Sequence, residues 1–244
     1  MLKEKLPELK KRYQIDLCIA NGENAAAGLG LTPRLAMEIQ EFGVDLITLG
    51  NHTWSKRELV DRIDTLKSVI RPANGPASWP GVGVRLFESP AGKVLVTNLL
   101  GRIFMEPMND PFLTADQLLS QFKAEYNTTL AIVDFHAEAT AEKMAMGYYL
   151  DGRATLVVGT HTHVQTADER ILNRGTAYIT DVGMTGPIDG IIGMDPASSL
   201  RRLVGHLPAP YEAANGKGQL SAVVISADPK TGRATNIERI LLKE

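Results

Sequence analysis

The 244-residue sequence is poor in several features, and each shortage excludes a class of protein. Its single cysteine, Cys18, cannot form a disulfide within the chain or build a cysteine-rich zinc site. No apolar run approaches the roughly 20 residues that a membrane-spanning helix needs. The N-terminal residues lack the apolar core and the cleavage site of a signal peptide. We therefore expect a cytoplasmic protein that does not enter a membrane.

The chain also has no dense block of lysine and arginine. Its formal net charge is −2, which argues against a stable complex with nucleic acid. A small phosphate-bearing substrate remains compatible with this charge. Hydrophobic residues make up 44% of the chain, enough to form a full core. Because no internal repeat or linker is present, we predict a single domain over residues 1–244.

Segments with the period of a strand alternate with segments that have the period of a helix. This alternation predicts parallel βαβ units in an α/β fold, with antiparallel hairpins added to them. Helices are predicted at residues 2–13, 32–43, from 55 onward, 114–126, 140–150 and 200–207. Strands are predicted at residues 15–20, 45–49, 84–88, 94–99, 130–135, 155–158, 220–226 and 235–242, with turns at 90–92 and 229–232. Thr32, Ser55 and Thr114 are the predicted N-caps, and residues 181–198 are predicted to be a loop.

Four of the five histidines lie in short motifs that close these apolar strands. Asn51-His52 follows one strand, His136 ends a second, and His161-Thr-His163 follows a third. A fourth strand leads to Glu23 and Asn24 instead. Since ligands of open α/β sheets bind beyond the carboxyl ends of strands, we expect these groups to meet at one sheet edge.

Imidazole, carboxylate and amide oxygen together suit Fe, Mn or Zn better than Mg or Ca. Each such residue alone is commonly structural, but four motifs at strand ends favour a metal centre. The set is too large for one catalytic ion that keeps open positions, and it suits two ions about 3.5–4 Å apart. His161 and His163 face the same side if their segment is a strand, and can bind adjacent ions if it is a tight loop.

Longer strings around these residues resemble a known family. They are Ala20-Asn-Gly-Glu-Asn24, Thr48-Leu-Gly-Asn-His52, Asp134-Phe-His136 and Gly159-Thr-His-Thr-His163, joined by Arg71-Pro-Ala-Asn74 and Thr180-Asp-Val-Gly183. They resemble the calcineurin-like metallophosphoesterases, and within them the bacterial 2′,3′-cyclic-nucleotide 2′-phosphodiesterase branch. The resemblance covers most of the chain. It implies an αββα sandwich of mixed sheets flanked by helices, with the metal site at the C-terminal ends of strands.

The resemblance also implies a metal ligand set for two ions, with Fe or Mn expected and Zn as an alternative. Glu23 would bridge both ions. Asn51, His136 and His161 would complete the shell of the second ion, and His163 would bind the first.

Other matched residues would act beside the metals. Asn24 would support the centre or contact substrate. His52 would face the substrate, where it could stabilise the phosphorane or protonate the leaving group, since imidazole exchanges protons near neutral pH. The loops at 71–83, 102–112 and 181–194 would form the substrate walls. Their candidate nucleotide contacts are Asn74, Arg102, Asp181 and Gly183.

The implied activity is hydrolysis of 2′,3′-cyclic nucleotides to 3′-nucleotides by in-line attack of a metal-bound hydroxide. The partner would be a small nucleotide, and the resemblance hints at a homo-oligomer. Two alternatives stay open: a broader phosphomonoesterase or protein phosphatase, and a metal-binding regulatory protein with little turnover. Members of the family begin with a strand ending in Asp-x-x-Gly, whose Asp binds the first metal. This sequence begins in a predicted helix, so we expect an N-terminally incomplete domain that lacks that ligand.

Overall fold

The structure is a computed structural model that describes residues 1–90 and 92–244. Within these residues the helices are α1 (Leu2–Tyr13), α2 (Pro33–Glu41), α3 (Arg57–Arg62), α4 (Pro111–Tyr126), α5 (Thr140–Tyr149) and α6 (Pro196–Leu203). The strands are β1 (Ile19–Asn21), β2 (Leu46–Thr48), β3 (Val84–Ser89), β4 (Gly92–Leu100), β5 (Leu130–His136), β6 (Leu156–Thr160), β7 (Arg170–Ile171), β8 (Ala177–Ile179), β9 (Gly186–Pro187), β10 (Gly218–Ala227) and β11 (Ala234–Lys243).

The largest sheet is mixed and has six strands in the order β3-β4-β5-β6-β8-β7. Its central strands β4, β5, β6 and β8 are parallel, and β3 and β7 pair antiparallel at the edges. Leu100 pairs with His136, and His136 pairs with Thr160. This register ends three neighbouring strands at one level, so the loops that follow them emerge side by side.

Two smaller sheets complete the fold. Strands β1 and β2 form a parallel pair, and β11, β10 and β9 form an antiparallel sheet. The β1–β2 pair meets the six-stranded sheet through Asn21, whose amide nitrogen donates to Leu49 O at 2.9 Å and to Asp134 Oδ2 at 3.2 Å. The C-terminal ends of the parallel strands of both sheets therefore lie at one common edge.

The main core fills the space between the six-stranded sheet and helices α4 and α5. Phe135 and Tyr178 are among the largest fully buried side chains. Gly147 in α5 allows close packing here, because a Cβ at this position would lie 2.5 Å from the Tyr178 ring. A second core, which includes Leu31, joins the first helices to β2. These cores fix the strands that carry the polar edge.

Many of the predicted elements are confirmed. Helix α1 spans the predicted residues, α2 follows Thr32, whose hydroxyl accepts from Leu35 N, and both predicted hairpins are present. Ala91, in the first predicted hairpin turn, lies outside the described residues. Strand β1 is shorter than predicted, since it begins only at Ile19.

Three helix starts were predicted wrongly. Helix α4 begins before the predicted Thr114 cap, because Asp110 accepts from Phe112 N and Leu113 N and is followed by proline. Helix α6 begins in the same way after Asp195, four residues before the predicted start. Ser55 is not the cap of α3, whose N-cap residue is Lys56. The short strands β7, β8 and β9 were not predicted.

Within residues 1–90 and 92–244, no helix is long and apolar enough to cross a bilayer.

The buried Phe135 gives a direct test of the core. Its ring is 0% exposed, whereas Phe104 on a surface loop is 89% exposed. Phe135→Ala should lower the free energy of unfolding by about 3–5 kcal/mol, since it opens a large cavity. Phe104→Ala should change it by less than about 0.5 kcal/mol. Urea denaturation followed by circular dichroism measures both, and equal losses would contradict this packing.

Candidate metal centre

His136 lies at the centre of the polar edge and is almost fully buried, at 1% exposure. Its Nε2 atom lies 2.9 Å from Asn51 Oδ1, 3.0 Å from His161 Nδ1 and 3.0 Å from Glu23 Oε1. His136 is the last residue of β5, and the other three residues follow the ends of β1, β2 and β6. The structure thus brings together four of the five predicted metal ligands.

The other nitrogen of His136 is fixed by a buried hydrogen-bond chain. Thr160 Oγ1 donates to Asp134 Oδ1 at 2.7 Å, and the same hydroxyl lies 2.9 Å from His136 Nδ1. Because the hydroxyl proton is used on Asp134, Thr160 accepts from Nδ1–H. This assignment of the tautomer from the network leaves the Nε2 lone pair facing the other ligand atoms.

His161 is oriented by Glu138, a carboxylate that the sequence analysis did not single out. Glu138 Oε2 lies 3.0 Å from His161 Nε2. With Nε2–H donated to this carboxylate, Nδ1 is the free atom that faces His136. Burial, and next the neighbouring His136, lower the pKa of His161 to about 4, so the ring is neutral near pH 7. A neutral imidazole with an oriented lone pair is the form that binds metal.

Glu23 supplies the negative charge of this cluster. Its side chain is buried, and although burial raises its pKa, the contact with His136 and the hydrogen bond from the His52 amide lower it to about 2. Glu23 Oε2 accepts from His52 N at 3.1 Å, whereas Oε1 has no hydrogen-bond partner. The carboxylate is therefore ionised, with one buried oxygen left unpaired and directed at His136.

The donor set fits a metal ion. Around His136 Nε2 stand a carboxylate oxygen, an amide oxygen and an imidazole lone pair, all of them acceptors. With the His136 proton on Nδ1, Nε2 is itself a fourth acceptor, and the lone pairs of the four atoms repel each other. A cation satisfies all of them, and the ligand atoms of Glu23, His136 and His161 lie within 4.8 Å of one another.

The close approach of these ligands requires a glycine beside them. A Cβ on Gly50 would overlap both Glu23 Oε2 and His136 Nε2. Any side chain at this position would displace the cluster, so Gly50 in the Gly-Asn-His motif has a geometric role.

His163, the fifth predicted ligand, lies outside this cluster. Its Nε2 is 3.1 Å from Asn24 Nδ2, and its Nδ1 is 3.0 Å from Ile192 O. The buried Oδ1 atom of Asn24 has no hydrogen-bond partner. His161 and His163 both follow the end of β6 with positive φ, at 100° and 67°. The motif is thus a tight loop, which directs its two imidazoles to different neighbours.

The predicted substrate-side residues are distributed more widely. His52 is half-buried, with Nε2 3.3 Å from Asn51 Nδ2. Arg102 is 46% exposed and pairs with Asp110 at 2.8 Å. Gly183 N donates to Asp181 Oδ1 at 2.8 Å.

Two predicted nucleotide contacts, Asn74 and Asp181, are buried instead. Asn74 is 1% exposed, and its amide binds the backbone of Leu100 and Asn109. Asp181 is 0% exposed and is hydrogen-bonded inside the protein. Burial removes both side chains from a nucleotide in the open site, so the structure gives them a supporting position.

Fold and site together define an α/β protein with a histidine–carboxylate centre at the C-terminal edge of its parallel strands, a fitting place for metal-assisted hydrolysis. Residues 1–240 match the family model described as YmdB-like protein. The chain is 51% identical, over all of its length and 92% of the relative, to the 2′,3′-cyclic-nucleotide 2′-phosphodiesterase of Bacillus subtilis (strain 168). The chain therefore belongs to the YmdB-like family, whose relatives include hydrolases of phosphoric esters.

The fold is also similar to those of solved structures, and two of them illustrate this. A hypothetical protein from Thermus thermophilus matches with a TM-score of 0.92 and 43% identity, over 100% of this chain and 93% of that one. A novel phosphatase from Mycoplasma pneumoniae matches with a TM-score of 0.92 and 37% identity, over 99% of this chain and 87% of that one.

Metal binding at this cluster should stabilise the folded state. At Mn²⁺ concentrations near 100 times the dissociation constant, the free energy of unfolding should rise by about 2.7 kcal/mol. His136→Ala should abolish this rise, whereas His206→Ala, which changes the exposed histidine outside the site, should keep it. Thermal unfolding with and without Mn²⁺ measures the effect, and an equal metal-induced rise in both variants would place the metal elsewhere.

Proposed function

We propose that the protein hydrolyses 2′,3′-cyclic nucleotides to 3′-nucleotides at a centre that holds two transition-metal ions. The observation that carries the proposal is the convergence of Glu23 Oε1, Asn51 Oδ1 and His161 Nδ1 on His136 Nε2. The substrate class comes from the Bacillus subtilis relative, which is named for this activity.

Four residues, Glu23, Asn51, His136 and His161, would hold one ion, and His163 would contribute to a second ion beside Asn24. Fe or Mn suits this donor set, and Zn is an alternative. When bound, the two ions would neutralise charge that develops on the phosphoryl oxygens and ease deprotonation of the attacking water. Glu23 is ionised and adjoins Asn24, the contact of His163, which suits it to bridging both ions.

His52 is the proposed proton donor to the leaving group. The Glu23 carboxylate holds the His52 backbone by accepting a hydrogen bond from its amide, while the His52 imidazole stays partly exposed. In hydrolysis, the water oxygen forms a bond to phosphorus as the bond from phosphorus to the 2′ oxygen breaks. That oxygen needs a proton, and the imidazole of His52 would donate it as a general acid. The products are a 3′-phosphate and a free 2′ hydroxyl.

The substrate walls would form from the loops after the same strands. Arg102 follows β4, is about half exposed and offers a cation beside the edge where an anionic nucleotide would lie. Gly183 lies after β8 on the other side of the centre. Asn74 and Asp181 would support these loops without contacting the substrate, since both are buried and hydrogen-bond to loop backbone.

The proposal includes the architecture expected for such an enzyme. Residues 1–244 would form one metallophosphoesterase domain in which two sheet layers are flanked by helices. The positions of α4 and α5 against the six-stranded sheet, and of α1 near the smaller sheets, are consistent with this layering. A homo-oligomer is part of the same expectation.

A broader phosphatase activity is the second candidate. It is favoured by the structural match to a protein described as a novel phosphatase, which has the same fold over 99% of this chain. Both activities would use the same metal ligands, so only the substrate walls distinguish them.

The experiment that tests the proposal is hydrolysis of 2′,3′-cyclic AMP by the Mn²⁺-loaded protein, with products separated by chromatography. We expect 3′-AMP as the product and slower release of phosphate from phosphomonoesters. Hydrolysis of phosphomonoesters alone would favour the second candidate. Negligible turnover with about one bound metal per chain would favour a regulatory metal-binding protein.

Two variants in the same assay separate metal binding from proton transfer. His136→Ala should lose both bound metal and activity, because it removes the central ligand. His52→Ala should retain its metal but lower kcat by about 10²–10⁴-fold, the usual contribution of a general acid. Loss of metal in both variants would contradict the role assigned to His52.

A further inference from the structure

The loop that carries His161 and His163 has an unusual backbone. Both histidines have positive φ, at 100° and 67°, in a region that residues with a side chain rarely adopt. Such a conformation persists only where the surrounding structure holds it. Thr162 lies between them and is the point at which the protein fixes the loop.

Thr162 is hydrogen-bonded to both members of a buried ion pair, Lys143 and Asp181. Asp181 Oδ2 accepts from Thr162 N at 3.0 Å, from Thr162 Oγ1 at 2.6 Å and from Lys143 Nζ at 2.8 Å. Lys143 Nζ also donates to Thr162 Oγ1 at 3.1 Å. Lys143 is 1% exposed and Asp181 is 0% exposed. We call these three residues the Lys143–Asp181 clamp.

The clamp depends on elements on both sides of the loop. Lys143 comes from α5 and passes over β6 at Gly159, where a Cβ would lie 2.9 Å from Lys143 Cδ and would overlap Thr180 O. Asp181 follows β8 and is held by its own amide, which donates to Thr166 Oγ1 at 2.9 Å. Helix α5, strand β6 and the residues after β8 therefore all position the Asp181 carboxylate beside the His-Thr-His motif.

We propose that Lys143 and Asp181 are positioning residues that hold His161 and His163 in the geometry in which both can bind metal. This inference rests on the proposed metal-dependent function. Without the three bonds to Asp181, the loop can relax to a more common backbone conformation. Because His161 and His163 flank the same anchored residue, such relaxation moves both imidazoles together.

A role in stability alone is a poor account of this ion pair. Burying two charges costs desolvation energy, and an apolar pair of similar size commonly stabilises a protein as well. Here both charges converge on the hydroxyl and amide of one residue between two predicted metal ligands. That placement indicates orientation of the loop.

The test compares metal binding by the wild-type apo-protein and a set of variants, using calorimetric titration with Mn²⁺. Asp181→Asn should weaken Mn²⁺ affinity about 10–100-fold, the usual effect of removing a group that orients metal ligands. Asp151→Asn is the matched control. Asp151 is also buried and accepts from the backbone of Arg174 and Thr176, but it precedes β6 at the opposite edge of the sheet. Asp151→Asn should leave the Mn²⁺ affinity within about twofold of the wild type, because Asp151 orients none of the predicted metal ligands.

A double variant guards against misfolding, since Asp181→Asn leaves Lys143 without its counter-ion. The double change Lys143→Met with Asp181→Leu removes both charges, so the protein should fold. Its Mn²⁺ affinity should nevertheless be lower than that of the wild type, because the clamp is absent. Thr162→Val, which replaces only the hydroxyl, should weaken Mn²⁺ affinity less than Asp181→Asn does. Thr162→Ser, which keeps the hydroxyl, should bind Mn²⁺ nearly as tightly as the wild type. Circular dichroism checks that each variant is folded.

A second readout needs no metal. In the apo-protein, amide hydrogen exchange of residues 161–163 should be faster in the clamp variants than in the wild type and in Asp151→Asn. Unchanged exchange and unchanged Mn²⁺ affinity in a folded clamp variant would overturn the inference. If the wild type binds no metal while the exchange difference is present, the clamp stands and the proposed function fails.

Discussion

Three side chains from other parts of the fold converge on one ring nitrogen of the buried His136. His136 Nε2 lies about 3 Å from a carboxylate oxygen, an amide oxygen and a second imidazole nitrogen, none of which carries a proton to share. Glu23 and His136 are almost fully buried, so water screens the repulsion among these acceptors only weakly, and a positive charge placed among them would relieve it. This is the physical reason for proposing a cation-binding site here.

The fold achieves this by bringing the ends of parallel strands to one level. Register places His136 beside Thr160, and Thr160 then links His136 to Asp134. Asn21 joins the second parallel sheet to the same edge, where Glu23 follows. Because the ligands come from separate strands, each can be set by its own packed element. The strained His-Thr-His loop is the exception, and it is fixed by a buried ion pair beneath it.

The sequence was sufficient to predict the grouping of Glu23, Asn51, His136 and His161, since strand ends in a parallel sheet share an edge. It did not indicate Glu138 or Lys143, whose roles depend on how α5 lies against β6. Asp181 was expected to contact a nucleotide, because a loop position does not reveal that its side chain points inward. The starts of α4 and α6 were missed for a local reason: an Asp-Pro pair upstream is the stronger cap.

If the proposed centre exists, a metal ion occupies the space faced by His136 Nε2. A crystal of the protein soaked in Mn²⁺ and measured near the manganese absorption edge tests it most directly. We expect an anomalous peak in contact with Glu23, His136 and His161, with Glu138 hydrogen-bonded to Nε2 of the His161 ring. A crystal with no peak at this position, or with the metal bound only elsewhere, would contradict it.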